Sequence, residues 1–273
     1  MDAILASPWG LLAAAGLLIG FLVGLTGVGA GAITTPMLIS GFGLHPAVAV
    51  GTDLLFAAIT KSTAALRHHR MGNVDWPVLL WLAGGSLTAA AITLTFLHWT
   101  VPDTERLATI IRGGLTIVLI ASAIIIPLCP VLLRNRRDDD EVPVTNTVRR
   151  AATVAAGVVL GVLVSLTSVG AGAIGVAALS ALYPMLRARR IVGTDVVHAI
   201  PLTLFSGAGH LGLGNVDWAT LAALLCGSIP GIAIGSRLTG HLPEWVMRLG
   251  LSAVLLFAAY LMVPSLMRML GTN

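Results

Sequence analysis

The sequence predicts an all-α, polytopic membrane protein built from two inverted-topology repeats, with eight to ten membrane segments, some of them broken or re-entrant. Three observations carry this prediction. Hydrophobic residues make up 56% of the 273-residue chain and charged residues 10%, against about 25% charge in a soluble domain. Mean hydropathy is +0.94, and several apolar stretches reach the roughly 20 residues needed to cross a bilayer core. Finally, the chain repeats itself. Residues 20–33, GFLVGLTGVGAGAI, return at 161–174 as GVLVSLTSVGAGAI, with 11 of 14 positions identical. Residues 51–76 return at 193–218 with 10 of 26 identical, and the offsets of 141 and 142 residues are close to half the chain. Apolar chains made of two such halves are a common plan of secondary transporters, with a central site between the repeats.

Ten apolar segments follow in order, five to each half. The first, 9–26, follows an opening MDAILASPWG that has neither a basic n-region nor a small-residue cleavage site, and so reads as mature protein. The second, 28–43, is short and glycine-interrupted. It is expected to be a half-span forming a re-entrant hairpin with its predecessor. The third (46–66), fourth (77–98) and fifth (108–133) are long enough to cross. The second half repeats the series at 151–168, 169–184, 191–211, 218–238 and 245–266, and its second member is again short and glycine-rich. The halves meet at RNRRDDDEVPVTNTVRR, residues 134–150, the only long polar stretch. The predicted organisation is therefore a first membrane repeat at 1–133, a linker loop at 134–150 and a second membrane repeat at 151–273.

Loop charge sets the orientation. Arg67 and Arg70 follow the third segment, Arg134, Arg136, Arg137, Arg149 and Arg150 follow the fifth, and Arg187, Arg189 and Arg190 follow the seventh. Counted alternately, these loops share one side, and the positive-inside rule makes that side, with the linker, cytoplasmic. Equivalent loops carry opposite bias. RHHRMGNVDW is basic while GHLGLGNVDW has no Arg or Lys, and SGFGLH is uncharged while YPMLRARR has three Arg. Equivalent loops are therefore expected on opposite sides, which is what an inverted repeat requires. This distribution also accounts for the net charge of +4 without nucleic acid as a partner.

Two duplicated motifs carry the candidate site. Thr26, Gly27, Gly29 and Gly31 correspond to Thr167, Ser168, Gly170 and Gly172. Glycines this dense break a helix in lipid, and the freed backbone must find protein, water or substrate. A helix restarting after the break points unpaired N–H groups and a positive dipole end at the gap, which suits an anion. The competing reading is that the glycines only let helices pack closely. The second motif is Gly51-Thr52-Asp53 with Gly193-Thr194-Asp195. A carboxylate inside a membrane span is a functional hypothesis by default, so Asp53 and Asp195 are proton-coupling candidates. Their alternative is an N-cap where a helix restarts after glycine. Lys61, the only lysine, could balance Asp53, hold an anion, or snorkel to the headgroups. His198 is either a titrating group or a satisfied core histidine.

Other features read as structure. Asn73-Val74-Asp75-Trp76 and Asn215-Val216-Asp217-Trp218 suit helix caps followed by interfacial Trp. Cys129 and Cys226 fit neither a disulfide framework nor a metal site and read as packing residues. The His68-His69-Arg70 run lacks a second cluster at metal-ligand spacing, so no metal is expected. No nucleotide-binding motif, HExxH or serine-nucleophile elbow is present, so no cofactor and no enzymatic chemistry are expected.

At the GLTGVGAG element and its copy, the AVGTD element and the GNVDW turn, the chain resembles the sulfite exporter TauE/SafE family of membrane transporters, essentially over its whole length. The resemblance implies secondary transport of sulfur-containing anions such as sulfite or sulfonates, usually outward, across the bacterial inner membrane. It places residues 26–31 and 167–172 at the family's re-entrant signature, and Thr52 and Thr194 at a polar position of the family. Asp53 and Asp195 depart from the small polar residue often found there. The expected partners are a small anion and the bilayer; self-association as a homo-oligomer stays open. An anion channel is the alternative within transport, and a membrane-embedded enzyme or scaffold is the alternative outside it.

Overall fold

The computed structural model describes residues 8–26, 31–100, 104–133, 147–238 and 244–269. These residues form ten helices and, among the described residues, no strand. The first half contains α1 (Pro8–Thr26), α2 (Gly31–Ser40), α3 (Pro46–Arg70), α4 (Trp76–Thr100) and α5 (Thr104–Leu133). The second contains α6 (Thr147–Thr167), α7 (Ala173–Leu182), α8 (Ala188–Gly212), α9 (Trp218–Leu238) and α10 (Glu244–Met269). The ten apolar segments of the sequence are these ten helices.

Helix is the natural solution for such a chain, because each backbone group finds its partner inside the segment when no water is available. Among the described residues, seven helices, α3 to α6 and α8 to α10, are long and apolar enough to cross a membrane. Helices α2 and α7 have ten residues each, so each is about 15 Å long at 1.5 Å per residue. That is half of a core about 30 Å thick. Large apolar side chains such as Leu80, Ile92, Phe96, Ile229, Phe257 and Tyr260 are exposed on the outside. Cys226, expected to pack, is a free thiol on that outer face.

The halves interlock rather than sit side by side. Helix α1 packs mainly on α9, and its repeat partner α6 packs mainly on α4. Helices α3 and α8 pair with each other, as do α5 and α10. Two further matched contacts, α4 on α8 with α9 on α3, and α5 on α7 with α10 on α2, complete the exchange. The sequence of the two main seams explains their closeness. A Cβ on Gly16 or Gly20 would run into the backbone of Leu224 or Ser228, and one on Gly157 or Gly161 would run into Leu82 or Ser86. These are the same contacts with the halves exchanged. Small residues at four-residue spacing let backbones touch, which is how helices associate where burial from water supplies no drive.

Candidate functional site

The second glycine motif is an unwound segment. Helix α6 stops at Thr167, and the chain resumes as helix at Ala173. Ser168, Gly170 and Gly172 have φ of 60°, 126° and 120°, which keeps the segment out of a helix; the two glycines reach such values without strain, while Ser168 occupies a left-handed region uncommon for a serine. In the first half, the described part of α1 runs to Thr26 and that of α2 from Gly31. Gly27, Gly29 and the Thr26 side chain lie outside the described residues. The start of α2 meets the second break directly, since a Cβ on Gly31 would fall on the Ser168 carbonyl oxygen and 3.3 Å from Asp53 Oδ2. The N-terminal ends of α2 and α7 thus converge from opposite halves.

Between them lies a small cavity of about 10 Å³, room for about one water molecule. Its lining includes Gly31, Lys61, Ser122, Ser168, Gly170 and Ala171. Lys61 points inward rather than toward the headgroups, and its ammonium donates to the Ala171 carbonyl at 3.4 Å. It is attracted by both Asp195 and Asp53. The Lys61 ammonium and the N-terminal ends of α2 and α7 meet at this pocket, with the Asp53 and Asp195 carboxylates close by.

Each carboxylate attends the broken helix of its own half. Asp53 is fully buried, accepts a hydrogen bond from Thr35 Oγ1 at 2.6 Å, and lies near Ser168 and Thr34. Asp195 is equally buried and accepts from the Gly172 amide, at the entrance to α7. Its Oδ1 lies where a Cβ of Gly175 would be. Neither residue caps its own helix, because α3 starts at Pro46 and α8 at Ala188. The repeat is imperfect here, since the position of Thr35 is taken by Val176 in the second half, which offers no hydroxyl.

Thr52 and Thr194 make a reciprocal pair of ties between the halves. Thr194 Oγ1 accepts from the Asp75 amide at 2.9 Å, and Thr52 Oγ1 accepts from the Asp217 amide at 3.0 Å. Glycine beside each threonine permits the approach, because a Cβ on Gly193 or Gly51 would collide with the carbonyl of Asn73 or Asn215. The GNVDW turns also cap, with Asp75 Oδ1 accepting from the Val78 amide and Asp217 Oδ1 from the Ala219 amide. Trp76 and Trp218 lie exposed beside them, as interfacial residues would. His198 is buried, with Nε2 bonded to Ser86 Oγ at 2.8 Å, which ties α8 to α4. No group of three or more potential metal ligands occurs among the described residues.

Sequence reasoning missed Ser122 and two intramembrane arginines. Arg112 and Arg248 lie within α5 and α10, and Arg248 donates to the Ile126 carbonyl at 3.4 Å. A charge inside an apolar segment was the signal available for the arginines. Ser122 offered no signal, since a serine in a membrane helix is unremarkable until its surroundings are known.

The family model described as sulfite exporter TauE/SafE matches residues 12–262. The chain is 40% identical over 226 residues to the probable membrane transporter protein YjnA of Bacillus subtilis, covering 82% of this chain and 87% of that one. It is 34% identical over 247 residues to the probable membrane transporter protein YunE of the same organism, covering 84% and 86%. A probable membrane transporter protein of Methanocaldococcus jannaschii is 27% identical over 264 residues, covering 90% and 91%. No solved structure gives a significant match.

Proposed function

This chain belongs to the sulfite exporter TauE/SafE family of membrane transporters, and from that premise we propose that it carries a small sulfur-containing oxyanion by secondary transport. The observation that supports this reading is the meeting of the N-terminal ends of α2 and α7 at the Lys61 ammonium, deep in a multi-pass bundle. Dipole ends and the Lys61 ammonium favour an anion there once protons neutralise the neighbouring Asp53 and Asp195 carboxylates. The cavity is too small for a multi-atom anion as it stands. Rocking of one repeat against the other opens it to each side in turn, which is alternating access. In this reading Thr167, Ser168, Gly170, Gly172 and Gly31 surround the anion, while Thr52 and Thr194 hold the two halves in register around it.

Charge balance motivates proton coupling. Two carboxylates face one ammonium, so an entering anion raises the buried negative charge unless a proton accompanies it. Asp53 and Asp195 are the candidate carriers, with Lys61 between them and His198 nearby in charge terms. The arginine distribution supports a cytoplasmic linker in a bacterial cytoplasmic membrane.

The test is electrical. Protein reconstituted in liposomes on solid-supported membranes is given sulfite, thiosulfate, sulfoacetate, taurine and acetate, with and without a pH gradient. A saturable current for a sulfur anion, with apparent affinity weakened about tenfold or more in Lys61→Gln, is the expected result. Silence across the panel from folded protein removes the proposed substrate. Flux without counterflow converts the carrier into a channel.

A further inference from the structure

The cavity between the start of α2 and the break before α7 is lined by backbone that the repeats duplicate and by polar side chains that they do not. Lys61 corresponds to Thr203 and Ser168 to Gly27, at the offsets of 142 and 141 residues. In the fifth helices, Arg112-Gly113-Gly114-Leu115-Thr116 reappears as Arg248-Leu249-Gly250-Leu251-Ser252, which pairs Ser122 with Ala258. Lys61, Ser122 and Ser168 therefore each stand alone, and all three line the one cavity.

Ser122 departs from the usual pattern of hydroxyls in these helices, as Ser252 in α10 also does, but of the two only Ser122 borders the cavity. A membrane-helix hydroxyl ordinarily bonds a carbonyl one turn back, as Thr116 does to Arg112 and Thr93 to Ala89. The Ser122 hydroxyl is 1% exposed and has no hydrogen-bond partner among the described residues. The Ser168 hydroxyl lies close to Asp53, yet makes no well-aligned hydrogen bond among the described residues. A buried hydroxyl left in that condition calls for a ligand, and here it borders a cavity that also holds an ammonium.

We infer that Ser122 is a direct ligand and selectivity residue for the carried anion, and that the two repeats form one asymmetric anion site per chain rather than a pair. The inference rests on the proposed anion-transport reading. Lys61 supplies charge from one wall, Ser122 a hydroxyl from α5, and Ser168 a hydroxyl from the second break. Donors approaching from three elements match a pyramidal or tetrahedral oxyanion, whose oxygens point in as many directions. A planar carboxylate has only two oxygens and engages fewer of them. At the mirror position Ala258 contributes no hydroxyl, so a second site lacks its ligand.

The experiment measures both binding and transport on the full-length protein. Sulfite and acetate are titrated calorimetrically against wild type, Ser122→Ala, Ser122→Thr and Ala258→Ser in detergent, and the same proteins are assayed for current. Wild type is expected to bind one sulfite per chain. Ser122→Ala should weaken sulfite about tenfold in Kd and KM, with maximal current within about twofold, and should change acetate little. Ser122→Thr should restore affinity, and Ala258→Ser should leave it unchanged. Unaltered sulfite affinity in folded Ser122→Ala, equal losses for both anions, or two sulfites per chain overturns the inference. Sulfite binding without current removes the transport reading while the Ser122 comparison still decides the inference. No binding by wild type removes both.

Discussion

Replacing Thr194 by Val should destabilise the fold more than replacing Thr52 by Val, although the two residues are repeat equivalents. Valine keeps the shape and removes the hydroxyl that accepts the opposite half's amide. The loss depends on what the orphaned amide can do next. A buried donor left unsatisfied costs about 1–3 kcal/mol. Thr194 is 1% exposed and Asp75 only 9%, with Val74 beside it at 8%, so water has poor access and a loss of about 2 kcal/mol is expected. Asp217 and Val216 are half-buried, so water can take over from Thr52, and the loss should stay near or below about 1 kcal/mol. In a chain this long, that separates the unfolding midpoints by a few degrees, at about 2–4 °C per kcal/mol. The assay is thermal unfolding in detergent, followed by tryptophan fluorescence. Thr194→Ser, which keeps the hydroxyl, should retain most of the stability. Equal midpoints for the two valine variants, or a larger drop for Thr52→Val, would refute the reasoning.

Two further outcomes follow from the same geometry. Gly193→Ala should lose about 1–3 kcal/mol because its Cβ meets the Asn73 carbonyl, a backbone atom that cannot swing aside; Gly250→Ala, with nothing within 4 Å, should be neutral or gain up to about 1 kcal/mol, as denaturation midpoints will show. Asp195→Asn should abolish stimulation of current by a pH gradient more completely than Asp53→Asn, because Asp53 is already held by Thr35 and Asp195 has no equivalent hydroxyl; pH-driven currents that survive in Asp195→Asn rule out a coupling role for it.

Much of the fold was legible because a membrane segment advertises itself by length and composition alone. The ninth segment was drawn at 218–238 and is the helix Trp218–Leu238. The short second and seventh segments were also recognisable, since glycines dense enough to break a helix are visible in the sequence. Partner choice was not legible. Nothing in the α1 sequence says that its glycines face α9 rather than a helix of its own half, because any small-residue stripe fits any other. The Thr52 and Thr194 hydroxyls were candidates for substrate on the same grounds of type and duplication. Their contact with the opposite half's GNVDW turn depends on a register that only the packed bundle displays. Lys61 was ambiguous for a similar reason, as a long stem can snorkel or turn inward, and only the position of Ala171 shows which.

Interlocking explains why duplicated motifs and unduplicated side chains divide the work as they do. Most contacts made by one half on the other are made again when the halves are exchanged, so many packing residues serve in both copies, although the His198–Ser86 tie has Phe56 in place of the histidine in the first half. Gly51 with Gly193, Thr52 with Thr194, and Asp75 with Asp217 are held to the same chemistry by reciprocal contacts. A residue lining the one cavity on which both halves close escapes this constraint, because a single copy suffices there. There the chain has lysine against threonine, and serine against glycine or alanine. Duplication therefore marks the frame, and departure from duplication at the shared cavity singles out Lys61, Ser122 and Ser168, the residues proposed above to meet the anion.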